Sequence, residues 1–231
     1  YLKPVNCRVG GLEGESERYD TKNHHPLPSD VEEAIADILA TLVPRVDAVI
    51  VADQVEEENV GVITSGMRET LARLASEHPD VVFFADSRAR IDLFRNVIVK
   101  PNEREAVRSK YPACDGEVSR EMVIETGGEM TVRNGKPVFV TRSAKGMLVF
   151  ADGEYSEVRG VKVDEPTDPT GAGDSATAAS VLTLASGGTL EEAALMANLV
   201  ASITVKCLGT TGAASPDQLP GQLLLWHSQT G

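Results

Sequence analysis

Residues 168–174 read D-P-T-G-A-G-D, and an alanine-rich run, S-A-T-A-A-S-V-L-T-L-A, follows at once. Gly171 and Gly173 allow backbone conformations closed to other residues, so the N–H groups of residues 171–173 can turn into one small space. The run that follows predicts a helix, whose positive end faces the same space and makes it a pocket for an anion. Asp174 stands beside that pocket. In one reading it is a helix-start acid that favours the dipole. In the other it is a general base facing a hydroxyl group. Phosphoryl transfer needs the second arrangement: a hydroxyl must lose its proton as it attacks, and the charge on the group in transit must be stabilised. The residues of this stretch leave both readings open. The chain has no G-x-x-x-x-G-K-[ST] phosphate loop, and no G-x-G-x-x-G follows a predicted strand.

The elements that must position this loop alternate along the chain. Ser29 can cap a helix and Glu32 can reach back to it, and Val31, Ile35, Ile38, Leu39 and Leu42 fall on one helical face before Pro44 ends the run. V-D-A-V-I-V-A (46–52) reads as a strand buried on both faces. A helix over 64–76 carries Met67, Leu71 and Leu74 in step. V-V-F-F-A (81–85), ending at Asp86, and N-V-I-V-K (96–100), ending at Pro101-Asn102, are further strands. Residues 117–126 predict a helix, and P-V-F-V-T (137–141) and G-M-L-V-F-A (146–151) predict neighbouring strands before a tight turn at Asp152-Gly153. Helices follow near 174–186 and 190–206, and Ser215-Pro216 opens the last one. This alternation predicts one α/β domain over 29–231, a mainly parallel sheet with helices on both faces. Ligands bind such sheets beyond the carboxyl ends of the strands. That rule singles out Asp53, Asp86, Asn102, Glu105, Thr141 and the Gly-Ala-Gly-Asp loop, although each alone also suits a turn or a helix cap.

Charge and cysteine content narrow the function classes. A net charge of -13, from 22 basic and 35 acidic residues, argues against a nucleic-acid surface. It leaves room for a nucleotide held by backbone N–H groups and a metal ion. No apolar run approaches the roughly 20 residues that span a bilayer, so no membrane role is expected. Cys7, Cys114 and Cys207 are scattered and odd in number, as expected of free thiols in a reducing cytoplasm. His24, His25, His78 and His227 form no metal-ligand spacing.

D-P-T-G-A-G-D in this setting resembles the C-terminal signature of the PfkB, or ribokinase-like, family of carbohydrate kinases. Other segments agree in order: K-P-N-E-R-E-A (100–106) with the family's Asn-x-x-Glu motif, V-T-R-S-A-K-G-M (140–147) with its strand-turn nucleotide segment, and A-N-L-V-A-S (197–202) and K-C-L-G-T-T-G-A (206–213) with its nucleotide-side helix and loop. The resemblance implies a ribokinase-like fold and an ATP-dependent kinase acting on a hydroxyl of a sugar or sugar phosphate. Asp174 would be the catalytic base, and Gly171, Ala172 and Gly173 the anion hole. Asn102 would lie at the phosphates, and Glu105 would help place Mg²⁺ through water. Thr141, Ser143 and Gly146 would lie along the nucleotide, and Asn198 near the adenine side. Asp168 and Thr170 fall where some members bind a monovalent cation. A homodimer is an assembly the resemblance allows.

Two departures accompany the match. The family usually has Gly where this chain has Ser143, whose backbone N–H serves only if the turn tolerates a side chain. Nothing matches the family's Gly-Gly sugar-binding strands or most of its β-lid. Residues 1–28 resemble the stretch that follows that region, especially in the heptose-phosphate kinase branch, and are expected to be a remnant of the lid and linker. The chain opens on Tyr1, so the expectation is the nucleotide-binding two-thirds of a sugar kinase, inactive if its sugar-binding region is absent. Two alternatives stand beside this: a nucleoside or vitamin-precursor kinase of the same fold, and a nucleotide-binding module without catalysis.

Overall fold

The computed structural model describes Tyr19, residues 21–114 and residues 116–231. The resemblance seen in residues 1–18, and Cys7 with it, lies outside the described residues. Among those described, six strands form one sheet in chain order: β1 (Ala48–Asp53), β2 (Val82–Ser87), β3 (Ile98–Val99), β4 (Val138–Thr141), β5 (Met147–Ala151) and β6 (Glu154–Val158). The first four are parallel, and β5 and β6 return antiparallel. The β5–β6 hairpin turns on Asp152 and Gly153 with φ of 52° and 81°, the left-handed pair that a two-residue hairpin loop requires.

Among the described residues, seven α-helices accompany the sheet: α1 (Ser29–Leu42), α2 (Ser65–Glu77), α3 (Glu103–Arg108), α4 (Arg120–Asn134), α5 (Ala172–Ala185), α6 (Leu190–Thr204) and α7 (Leu219–Thr230). Successive strand residues point to opposite faces. Phe83 and Ala85 of β2 therefore join a core with Met67, Leu71, Val107, Val123 and Met130 on the α1–α4 side. Phe84 joins Phe139, Met147 and Val149 on the α5–α6 side. There the helices present Ala176, Ala179, Ala193, Ala194 and Ala197, all buried. Small side chains bring α5 and α6 close to the sheet and to each other, so the loop at the start of α5 is held on a tightly packed support.

Four local expectations are corrected. Ser29 does not cap α1: Pro28 is the N-cap residue, without a side-chain cap, and the Glu32 carboxylate instead accepts a hydrogen bond from Thr64 Oγ1 at 2.6 Å. A tertiary partner outcompetes the local one. The apolar face of α1 is only partly used, since Ile35 and Leu39 pack on the core while Val31, Ile38 and Leu42 are exposed. β1 is not buried on both faces: it lies at the outer edge of the described sheet, and Ile50 is 50% exposed. Finally, α4 does not stop at 126 but runs through Gly127-Gly128 to Asn134. Glycine in a helix interior costs about 1 kcal/mol against alanine. Gly127 is there because of packing: a methyl group on it would stand 2.5 Å from the Phe150 ring of β5.

Candidate active site

All four parallel strands end on the same side of the sheet, and the ends of β2 and β3 supply polar groups close to α5, Asp86 to Thr177 and Lys100 to Gly173. After β3 come Lys100, Pro101 and Asn102. Asn102 is the N-cap of α3 in a reciprocal box: its Oδ1 accepts from the Glu105 amide at 2.9 Å, and Glu105 Oε2 accepts from the Asn102 amide at 2.8 Å. An isolated parallel bridge joins Asn102 to Thr141, and the Thr141 amide donates to the Pro101 carbonyl at 3.0 Å. The Asn-x-x-Glu motif and the end of β4 are thus one continuous patch. Burial pushes the Glu105 carboxyl above the usual range. The Asn102 amide opposes that, the Asp86 carboxylate adds to it, and Lys100 and Arg88 oppose it.

The Gly-Ala-Gly-Asp loop comes near the end of β3 at Lys100: a methyl group on Gly173 would stand 3.9 Å from Lys100 Nζ. Gly171 is the N-cap of α5 in the left-handed region, φ 76°, and no side chain caps the helix. The Ala172 amide donates to the Pro169 carbonyl at 3.1 Å. The amides of Gly171, Gly173 and Asp174 donate to no acceptor among the described residues, the situation in which a helix start binds an anion. Of the three amides expected to form the anion hole, two remain available, and that of Asp174 adds a third. Asp174 itself is exposed in the first turn of α5.

Asp168 does structural work below the loop. It is buried, its Oδ1 accepts from the Thr170 amide and its Oδ2 from the Gly209 amide, both at 2.9 Å, and its own amide donates to the Val205 carbonyl. The carboxylate therefore ties the glycine loop to the 206–213 loop.

The remaining predicted residues gather on the β4–β6 side. Ser143 adopts φ 51°, the left-handed conformation that Gly takes without penalty. Gly146, φ 94°, leaves no room for a side chain: a methyl group there would stand 2.1 Å from the Val158 carbonyl oxygen. Asn198 is buried, and its amide donates to the Val158 and Arg159 carbonyls at 3.1 and 3.2 Å. It anchors the chain segment that passes over Gly146, so it belongs with Ser143 and Gly146 rather than with the glycine loop.

Lys100 and Arg142 carried no specific signal, and Asp53, singled out at its strand end, gains partners that no spacing announced. Lys100 stands in the quoted K-P-N-E-R-E-A segment, whose resemblance assigns roles to Asn102 and Glu105 alone. In the structure it is buried and bound to Asp86, with Nζ 2.8 Å from Oδ2. Arg142, also buried, pairs with Glu157 at 3.0 Å and faces Glu103 at 3.7 Å, joining the end of β4 to β6 and α3. At the ends of β1 and β2, register pairs Asp53 with Ser87. The Ser87 hydroxyl donates to Asp53 Oδ2 at 2.7 Å, and the Arg90 guanidinium donates to Asp53 and to the Glu56 and Val55 carbonyls. A cavity of about 630 Å³ opens beside this cluster, lined by polar residues such as Lys22, Gln54, Glu56 and Arg88 and by the apolar Val55 and Val60.

Among the described residues, no three His, Cys, Asp or Glu side chains converge as a direct metal-ligand set. Glu105 offers one carboxylate near Asp86 and Lys100, the sparse oxygen donation that suits Mg²⁺, which keeps most of its waters and takes few carboxylates. No helix among the described residues is long and apolar enough to cross a membrane.

The model of the pfkB family of carbohydrate kinases matches residues 27–218. The bifunctional protein HldE of Pelobacter propionicus is 28% identical over 217 residues, which cover 92% of this chain and 42% of that protein. The chain spans less than half the length of the curated relatives it matches. Escherichia coli phosphofructokinase-2, solved in complex with potassium, superposes with a TM-score of 0.70 at 19% identity, over 95% of this chain and 68% of that one. Arabidopsis thaliana ribokinase, complexed with ribose and ATP, superposes with a TM-score of 0.61 at 20% identity, over 87% of this chain and 60% of that one. Likeness at these identities shows a ribokinase-like fold.

Proposed function

Because this chain belongs to the pfkB family of carbohydrate kinases, we propose that it serves the ATP-dependent phosphorylation of a hydroxyl on a sugar or sugar phosphate. The observation that carries the reading is the start of α5, where the amides of Gly171, Gly173 and Asp174 have no acceptor among the described residues and Asp174 itself is exposed. Asp174 takes the proton of the acceptor hydroxyl as its oxygen forms a bond to the terminal phosphorus of ATP. The bond from that phosphorus to the bridging oxygen breaks, and ADP leaves with the electron pair. The amides of Gly171, Gly173 and Asp174 stabilise the negative charge on the group in transit.

Asn102 holds the start of α3 toward the phosphates, and Glu105 would place Mg²⁺ through water. Mg²⁺ bound with the nucleotide supplies charge neutralisation along the phosphates. Thr141, Ser143 and Gly146 line the nucleotide along the ends of β4 and β5. Asn198 acts on it through the Val158–Gly160 segment. A monovalent cation at the Asp168–Thr170 turn would bind backbone carbonyls there, since the Asp168 oxygens already accept amides. The cavity beyond β1 and β2 offers room for a polar acceptor. The heptose-phosphate-like segments favour a sugar phosphate over a free sugar.

The test is ADP release from MgATP across a panel of sugars, sugar phosphates and nucleosides. One sugar phosphate is expected to support turnover. Asp174→Asn is expected to slow that turnover by roughly 10² to 10⁴-fold and to leave ATP binding nearly unchanged. Full activity in that variant excludes the base role. Turnover with nucleosides alone would transfer the reading to that acceptor class, and nucleotide binding without any turnover would leave a binding module.

A further inference from the structure

Lysine is almost never fully buried unless it is paired. Lys100 is such a case: its side chain is 4% exposed, and among the described residues only Asp86 lies within ion-pair reach, at 2.8 Å. A buried ion pair is weak evidence for stability, because the cost of taking two charges out of water rivals their attraction. The location of this pair suggests another purpose. Lys100 immediately precedes Pro101-Asn102, and its ammonium lies under the glycine loop: a methyl group on Gly173 would stand 3.9 Å from Nζ. The Asp86 carboxylate has a second partner, since Thr177 Oγ1, in the following turn of α5, donates to Oδ2 at 3.4 Å. An ammonium has three N–H donors, and Lys100 directs none of them to a described residue other than Asp86.

We propose that Lys100 is a phosphate-binding residue selective for the terminal phosphate of a nucleoside triphosphate, resting on Asp86 when the pocket is empty. The proposal rests on the kinase reading above. With a triphosphate in the pocket, the ammonium moves a short way from Asp86 to the phosphate oxygens beneath Gly173. Thr177 then keeps a hydrogen bond on the Asp86 carboxylate, so the acid is not left bare. A diphosphate ends short of this position and gains nothing from Lys100. The pair thus holds a cation in a dry site without letting it bind product as tightly as substrate.

Calorimetric binding of the magnesium complexes of ADP and of the non-hydrolysable triphosphate AMP-PNP separates the possibilities. The wild-type chain is expected to prefer AMP-PNP. Lys100→Met is expected to lose roughly 30-fold in AMP-PNP affinity with ADP affinity nearly unchanged. Asp86→Asn, which releases the ammonium, is expected to keep or sharpen the preference. The double variant Lys100→Met/Asp86→Asn leaves no unpaired charge in the core, and is expected to lose the preference as Lys100→Met does. If the pair only supports the fold, the single variants both lower the melting temperature and leave the ratio of the two affinities unchanged, which overturns the proposal. A wild-type chain that binds neither nucleotide overturns the kinase reading itself and this proposal with it.

Discussion

Gly171 and Thr211 fit together so closely that a methyl group on Gly171 would stand 2.5 Å from Thr211 Cγ2. The contact joins the start of α5 to the loop before α7. Together with Asp168, whose carboxylate accepts from Gly209, it fixes the glycine loop against its neighbour. Gly171→Ala therefore meets two penalties: a left-handed φ of 76°, worth about 1–2 kcal/mol, and an overpacked contact, worth about 1–3 kcal/mol. Chemical denaturation should show a combined loss of roughly 2–5 kcal/mol. Thr211→Ser removes the clashing methyl, so the double variant should recover the packing part and keep the conformational part. No recovery in the double-mutant cycle would refute the contact as the cause.

Ser143 is expected to be a strained residue whose side chain the turn does not need. It is exposed and sits at φ 51°, and the family usually has Gly there. Ser143→Gly relieves about 1–2 kcal/mol of backbone strain and adds about 0.5–1 kcal/mol of unfolded-state entropy. The variant should be more stable by about 0.5 kcal/mol in urea unfolding, with MgADP affinity within about threefold of wild type. A clear loss of MgADP affinity would instead assign the hydroxyl a role at the nucleotide.

Glu157 makes stability depend on pH. The hydrogen bond from Arg120 at 2.6 Å, together with the Arg120 and Arg142 charges, holds its carboxyl below the usual range. A depressed acid stabilises the fold above its unfolded-state pKa, and that contribution fades as pH falls through the lower, folded value. Glu157→Gln should cost about 1 kcal/mol near neutral pH, because half-buried pairs are partly screened. The difference from wild type should close below about pH 4. A gap independent of pH would mean that shape, not charge, holds Arg142 in place.

The parts of the site that lie within one turn were legible in the residues. Asn102 and Glu105 are three apart, and they form the reciprocal cap that such spacing produces. Gly171-Ala172-Gly173-Asp174 opens a helix because glycine permits the left-handed entry and the small residues behind it pack closely. The α1 start shows where local reasoning fails. Ser29-x-x-Glu32 has the spacing of a cap, yet Thr64, 32 residues away in sequence, takes the Glu32 carboxylate. Asn198 was placed at the nucleotide by resemblance. Only the packed structure shows its amide spent on the Val158 and Arg159 carbonyls.

The sequence by itself determined the alternation of strands and helices, the mainly parallel sheet and the glycine turn before α5, because each follows from apolar periodicity or from backbone freedom within a few residues. Tertiary structure decided which polar groups meet across the strand ends. Lys100 finds Asp86 only because β2 and β3 are parallel neighbours, and it lies under Gly173 only because buried alanines seat α5 close to that face. Burial of a charge depends on everything packed around it. No spacing along the chain records that a lysine after a strand is held dry beneath a helix formed more than seventy residues later.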